Sequence, residues 1–314
     1  MGSNFRTGSR SIAARLDEKR NPHGSKVDRL VRYGAHVDEN ADQIAYWNGP
    51  AGERWAREQE AIDRAFAAFT AKLFERATLR PGACVLDVGC GCGTTTLAAA
   101  HTVGPRGAVV GVDVSIPMVR RARERSAGRS NVSYVLADAA EHGFETRFDA
   151  IVSRFGVMFF RRPALALGRL REALRAGGTL AFVCWRAVDE NEWVSVPRDT
   201  VDFLLPPEPA ASPDEPGPFA FADSSRVAAI LDQALFTNVT FAPFDADVVL
   251  SQEGLSEAVR FAMTTGPTAR RLRDVDDDMK ARVRAALVAR FGSLVRGNRI
   301  ALRGSVWVVT ATRS

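Results

Sequence analysis

The apolar positions fall into short continuous runs separated by longer amphipathic stretches. Cys84-Val85-Leu86-Asp87-Val88 is such a run, broken from what precedes it by Pro81-Gly82, and it predicts a strand buried on both faces. Further strands are predicted at 108–112, 132–136, 148–153 and 179–185. Helical periods lie between them at 93–102, 116–127 and 163–174, and Gly177-Gly178 turns the chain into the fifth strand. Upstream, Trp55, Ile62, Phe66, Phe69 and Leu73 recur at helical spacing from Glu53 to Ala77. Strands alternating with helices predict a parallel α/β sheet with crossovers on both faces.

Past Trp185 the period is lost. Seven prolines (Pro197, Pro206, Pro207, Pro209, Pro213, Pro216, Pro218) between 187 and 222 mark an insertion. A helix at 226–235, a strand at 239–249, a helical stretch at 255–294 interrupted at Gly266-Pro267, and a strand at 305–310 follow. A late strand is expected to run antiparallel at or near the sheet edge. Residues 1–40 show few large apolar groups and no sustained period, and are expected to form a flexible arm.

Composition narrows the class. Of 314 residues 46% are hydrophobic and 25% charged, as in ordinary globular proteins. Apolar runs fall short of the roughly 20 residues a membrane helix needs. The polar, basic N-terminus lacks the apolar centre of a signal peptide, so a cytoplasmic protein is expected. Cys84, Cys90, Cys92 and Cys184 lie in or beside predicted buried strands, which suits free thiols better than a disulfide framework. The net charge of +5 raises nucleic acid as a partner. However, residues 1–40 hold eight basic groups against five acidic ones, so much of the excess sits in the arm, and no nucleic-acid partner is expected.

The chemistry gathers at strand ends. The first strand runs into Gly89-Cys90-Gly91-Cys92-Gly93-Thr94. Glycines there permit positive φ and let a ligand lie against bare backbone. A dinucleotide fingerprint would place its third glycine one residue later, at the position of Thr94. Asp87 before the loop suits a cationic ligand group better than a pyrophosphate. Asp113 ends the second strand, where a carboxylate can accept both hydroxyls of a ribose. Asp138 ends the third, where it can accept an exocyclic amine while the next backbone N–H meets the ring. Each of Asp113 and Asp138 could alternatively cap a helix. Cys90 and Cys92 lack the second Cys/His pair that zinc would need, so no metal is expected.

Asp87-Val88-Gly89-Cys90-Gly91-Cys92-Gly93 resembles the first motif of class I S-adenosylmethionine-dependent methyltransferases. Phe148–Ser153 resembles their fourth strand and Leu174–Leu180 the turn into their fifth. Ser153–Phe160 and Tyr46–Gly52 are similar to the ubiquinone and menaquinone biosynthesis branch and related natural-product enzymes. The resemblance implies a Rossmann-like sheet, mostly parallel with an antiparallel late strand, carrying a helical cap insertion. It implies S-adenosylmethionine as cofactor. Gly89, Cys90 and Gly91 would lie along its methionine portion and Asp87 would face its amino group. Asp113 would hold the ribose, and Val114 and Met118 would flank the adenine. Asp138 and Ala139 would read the adenine edge, and Ser153 would stand near the methionine carboxylate or amine.

The domains expected are an arm (1–40), a helical segment covering the site (41–75), the cofactor-binding core (76–186), and cap insertions with the last two strands (187–314). Tyr46, Trp47, Phe155, Met158, Trp185, Phe221 and Met263 are candidates for the acceptor pocket. No catalytic base is assigned; His142 and Arg154 are candidates. Ser153-Arg154-Phe155-Gly156 replaces the Asn/Asp-Pro-Pro-Tyr of enzymes that methylate adenine or glutamine nitrogen. The expected activity is methyl transfer to oxygen, nitrogen or carbon of a small, largely apolar metabolite, in a monomer or homodimer. The rival readings are an RNA or protein methyltransferase, suggested by the basic charge, and a protein that binds the cofactor without turnover.

Overall fold

The computed structural model describes residues 40–206 and 215–314. Residues 1–39 of the arm expected at 1–40, and Pro207, Pro209 and Pro213 of the insertion, lie outside the described residues. The apolar runs become seven strands: β1 (Cys84–Val88), β2 (Ala108–Asp113), β3 (Val132–Leu136), β4 (Phe148–Arg154), β5 (Leu174–Trp185), β6 (Thr237–Ser251) and β7 (Ile300–Thr312). They form one sheet in the order β3-β2-β1-β4-β5-β7-β6. β1 to β5 pair in parallel, while β7 is antiparallel to both β5 and β6.

This order fixes where a ligand can sit. β1 pairs with β2 on one side and β4 on the other, so the chain direction across the sheet reverses there and opens a crevice at the carboxyl ends. Every residue of β1 is buried, the reason its run is continuous and not alternating. Asp87 lies opposite Gly111 of β2 and Val152 of β4, which places a carboxylate at the centre of the sheet.

The helical spacing from Glu53 to Ala77 is realised as three helices, Pro50–Arg57, Gln59–Ala65 and Ala67–Ala77. The backbone leaves helical geometry at Glu58 (φ −90°, ψ 14°) and Phe66 (φ −107°, ψ 15°). Ile62, Phe66, Phe69 and Leu73 remain buried through the bends. Apolar spacing records the buried face and is blind to such a bend.

The insertion contains a helix, Glu192–Asp202, with Pro197 inside it. Proline weakened the sequence signal there. The stretch at 255–294 is broken at Thr265 and again at 272–276, giving helices Leu255–Thr264, Gly266–Arg271 and Asp277–Gly292. Asp276 ends the second break by accepting the Met279 N–H at 2.7 Å. Gly177-Gly178 stands within β5 and not before it, because it exchanges backbone hydrogen bonds with Arg313 beyond β7 (2.7 and 2.9 Å).

Candidate functional site

The glycines after β1 all take positive φ: 68° at Gly89, 52° at Gly91 and 82° at Gly93. Their surroundings separate their roles. A Cβ on Gly89 would stand 2.7 Å from the Gly156 Cα, so the loop after β1 and the turn after β4 touch backbone to backbone. A Cβ on Gly93 would meet the Tyr134 hydroxyl at 2.5 Å, and one on Gly111 would meet the same ring at 2.8 Å. At Gly91 the nearest atom is the Met118 sulfur, at an ordinary 3.7 Å. Gly91 therefore has room on its missing side chain's face, and Met118 lines that room.

Three acids stand at the carboxyl ends of β1, β2 and β3. Asp87 is fully buried; its Oδ2 accepts the hydroxyls of Thr95 and Thr96, both at 2.6 Å. Its Oδ1 is buried with no hydrogen-bond partner among the described residues. Burial pushes the Asp87 carboxyl up to about 6, against the two threonine bonds that hold it down. Asp113 accepts the Gly91 N–H with Oδ2 at 2.8 Å and the Ser115 N–H with Oδ1 at 2.9 Å. Burial raises its carboxyl as well, opposed by those backbone donors. Asp138 accepts the Ala140 N–H at 2.9 Å and the Asn40 side-chain amide at 3.1 Å, and Ala139 beside it is buried.

Cys90 is buried in the loop and Cys92 half-buried. Burial raises both thiols, Cys92 to about 12, so neither offers a ready thiolate. No group of three His, Cys, Asp or Glu able to hold a metal occurs among the described residues.

Ser153 is drawn to the loop, but its hydroxyl donates to the Val88 carbonyl at 2.8 Å and accepts from the Gly156 N–H at 3.3 Å. It ties β1 to the turn after β4. Arg154 points to the upstream helices: it donates to the Thr70 hydroxyl at 2.7 Å and stands 4.0 Å from Asp63. His142 packs its ring edgewise on Phe144, 4.8 Å away, and burial lowers its pKa.

The sequence reasoning did not find Asp63 as the hub of this region. Its carboxylate takes the Thr94 hydroxyl at 2.6 Å and the Arg125 guanidinium at 2.9 Å, while Arg125 also donates to the Cys92 carbonyl at 2.7 Å. These residues lie 31 and 62 positions apart in pairs, beyond any local pattern. Asn48 was equally unassigned. Its amide donates to the Val114 carbonyl and accepts the Ile116 N–H, both at 2.9 Å, capping from outside a helix (Ile116–Arg125) that has no side-chain cap of its own. Ser115 donates to the Trp47 carbonyl at 2.7 Å. The helix Ala41–Asn48 thus runs between the ends of β3 and β2.

Beside the loop, Phe155 adopts φ 63° and stacks on Trp185 at 4.2 Å with rings 8° from parallel. Phe66 and Trp193 meet Trp185 at 5.6 and 4.9 Å. Trp47 meets Phe159 edgewise at 5.4 Å and Tyr46 at 5.0 Å, with the Arg273 guanidinium 5.3 Å over the Tyr46 ring. Met158 is buried and Met263 half-buried. Phe221 does not join this group. It packs on Phe182 at 6.0 Å, and its carbonyl receives the Cys184 thiol. Phe182 and Cys184 alternate with Trp185 along β5, so Phe221 belongs to the opposite face of the sheet.

Residues 85–178 match the family described as methyltransferase domain. The chain is similar to the aklanonic acid methyltransferase DauC of Streptomyces sp. (strain C5), 38% identical over 101 residues, which are 31% of this chain and 46% of that protein. It is also 38% identical over 101 residues to the demethylmenaquinone methyltransferase of Staphylococcus aureus (strain JH9), covering 32% of this chain and 42% of that protein. The match thus spans less than half the length of these relatives. Among solved structures, a putative methyltransferase from Bacillus halodurans C-125 superimposes with a TM-score of 0.51 at 21% identity, over 78% of this chain and 99% of that one. The fold is accordingly the Rossmann-like methyltransferase sheet. No helix among the described residues is long and apolar enough to cross a membrane.

Proposed function

We propose that this chain is an S-adenosylmethionine-dependent methyltransferase that moves a methyl group to oxygen, nitrogen or carbon of a small, largely apolar metabolite. The reading rests above all on three acids at the carboxyl ends of β1, β2 and β3, with Asp87 Oδ1 buried and without a partner among the described residues. A buried carboxylate oxygen without a donor fits a ligand that brings a cation, as the amino group of this cofactor does. The open face of Gly91 fits the close approach of its methionine part.

On this reading Asp113 takes the ribose with the lone pairs that Gly91 and Ser115 leave free. Val114 and Met118 flank the adenine, and Asp138 with Ala139 reads its edge. Gly89 and Cys90 shape the loop, and Ser153 holds it in place. Bound there, the cofactor would supply a sulfonium-bound methyl, with the C–S bonding pair left on sulfur and the new bond formed by an electron pair of the acceptor oxygen, nitrogen or carbon. The chain's own contribution is to hold the two partners in line and exclude water, which supplies much of such a rate. Arg154 is occupied by Thr70 and Asp63, a positioning role; among the described residues only burial shifts the His142 pKa.

The names of the relatives, for aklanonic acid and demethylmenaquinone, support a small-molecule acceptor. Tyr46, Trp47, Phe155, Met158, Trp185 and Met263 would wall its site. We read residues 76–186 with the late strands as the core, 41–75 as a cover, and 187–235 with 251–300 as the cap. Four free cysteines accord with a cytoplasmic protein. Calorimetry with S-adenosylhomocysteine, followed by radiolabelled methyl transfer to a panel of small phenols, acids and quinols, tests the reading. Absence of S-adenosylhomocysteine binding by the full chain overturns it.

A further inference from the structure

Trp193, in the aromatic group beside the loop, carries a buried polar atom without a hydrogen-bond partner among the described residues. The residue is 7% exposed, and its indole Nε1 is buried with no hydrogen-bond partner among the described residues. An indole N–H offers a donor and nothing else, so its unmet need is for an acceptor atom. Buried donors are rarely left unmet, and one within a ring cluster beside the glycine loop points to a ligand.

Its surroundings define what would meet it. Trp193 lies 4.9 Å from Trp185 and 5.6 Å from Phe66, ring centre to ring centre. Trp185 is stacked on Phe155, and Phe66 lies edgewise to Phe155 at 5.5 Å. Phe155 is held at φ 63°, a strained conformation for a side chain of that size. The next residue, Gly156, touches Gly89 of the glycine loop. The four rings therefore stand where β4 and β5 end, directly beside the proposed donor site. Gly266, at φ 75°, leaves room for the Trp193 ring: a Cβ there would come within 2.9 Å of it.

We propose that Trp193 is a specificity-determining residue: its indole N–H donates to a carbonyl oxygen of a flat, conjugated acceptor held against the partly exposed ring of Phe155. This rests on the methyl-transfer reading for its biological sense, but the binding it asserts needs no turnover. A flat ligand suits stacking on the outer face of the Phe155 ring, whose inner face is already stacked on Trp185. A buried donor discriminates most strongly against analogues that lack the matching acceptor, because they leave the donor stranded.

The test uses two inert probes of the same shape, 9-fluorenone, which has a carbonyl, and fluorene, which has none. The full chain is labelled with ¹⁵N at its indoles and saturated with S-adenosylhomocysteine, and Trp193→Phe assigns the peak. The expected result is that fluorenone binds about tenfold tighter than fluorene, the worth of one net hydrogen bond. It should also move the Trp193 indole resonance, which fluorene leaves near its free position. Trp193→Phe should abolish the difference while leaving fluorene affinity intact, an outcome that a purely structural Trp193 would not give. Equal binding of both probes, a preference surviving in Trp193→Phe, or no binding of either probe overturns the proposal. Failure of S-adenosylhomocysteine to bind, with fluorenone still preferred, strikes the methyltransferase reading and leaves the aromatic site standing.

Discussion

Asp113 Oδ2 accepts the backbone N–H of Gly91 at 2.8 Å, so the acid ending β2 and the loop following β1 are one bonded unit. A residue expected either to hold a ribose or to cap a helix also fixes the shape of the cradle. Its other oxygen holds the Ser115 N–H. Asp113→Ala would strand both donors in a buried place, at about 1–3 kcal/mol for each. The expected outcome is a lowered melting temperature together with S-adenosylhomocysteine affinity reduced about 10–100-fold, the worth of a charge-assisted pair. Wild-type stability with lost affinity would show that the loop does not depend on this bond.

Asp87 gives the site a pH dependence. Its folded-state carboxyl lies near 6, above the ordinary value of 3.8. The folded chain therefore binds the proton more tightly than the unfolded one. The associated penalty is absent at low pH and grows as pH rises from about 4 through 6. Binding a cation beside Asp87 runs the other way, since it favours the ionised form. Affinity for S-adenosylhomocysteine should fall about tenfold between pH 7 and pH 5 in the wild type. It should stay nearly flat in Asp87→Asn, at a weaker level throughout. Calorimetry across that range checks both, and an unchanged pH profile in the variant assigns the dependence elsewhere.

Gly89 and Gly91 look alike in the sequence but should respond differently. Gly89→Ala sets a Cβ 2.7 Å from the Gly156 Cα, backbone against backbone, in addition to the strain of positive φ. Neither segment can yield easily, because Ser153 ties them. A loss of more than about 2 kcal/mol is expected in chemical denaturation. Gly91→Ala meets ordinary contact with Met118 and costs the left-handed conformation alone, about 1–2 kcal/mol. It should leave a folded protein with impaired S-adenosylhomocysteine binding. Equal stability losses would mean that the two glycines share one role.

The centre of the sheet was legible because β1, β2 and β4 are largely buried on both faces and their apolar runs are continuous. β3 is found where the pattern placed it, and β4 extends one residue further to Arg154. The strand-end acids were legible because the chain emerges from each strand at the same edge. What escaped was set by tertiary contact. The breaks at Glu58 and Phe66 leave the buried face unchanged, so spacing passed over them. Asp63 draws Thr94, Arg125 and Arg154 together from three separate elements, and no local motif encodes that meeting. Apolarity alone groups Phe221 with Trp185, whereas the alternation of β5 puts them on opposite faces.

Asn48 couples the upstream helix to the end of β2, and removing its amide tests whether that helix covers the cofactor. Its oxygen receives the Ile116 N–H, one of the first-turn donors that the helix Ile116–Arg125 cannot satisfy itself. Its nitrogen donates to the Val114 carbonyl, beside the position expected to flank adenine. Asn48→Ala should cost about 1 kcal/mol, as other lost caps do, lowering the melting temperature by a few degrees. Asn48→Asp keeps the acceptor, places a negative charge at a helix N-terminus, and should recover that stability. The link to Val114 is broken in both variants, since a carboxylate cannot donate to its carbonyl. Both should therefore release S-adenosylhomocysteine several-fold faster in stopped-flow measurements, with association little changed. If Asn48→Asp restores the release rate along with the stability, the amide serves as a helix cap alone and the upstream helix is no cover.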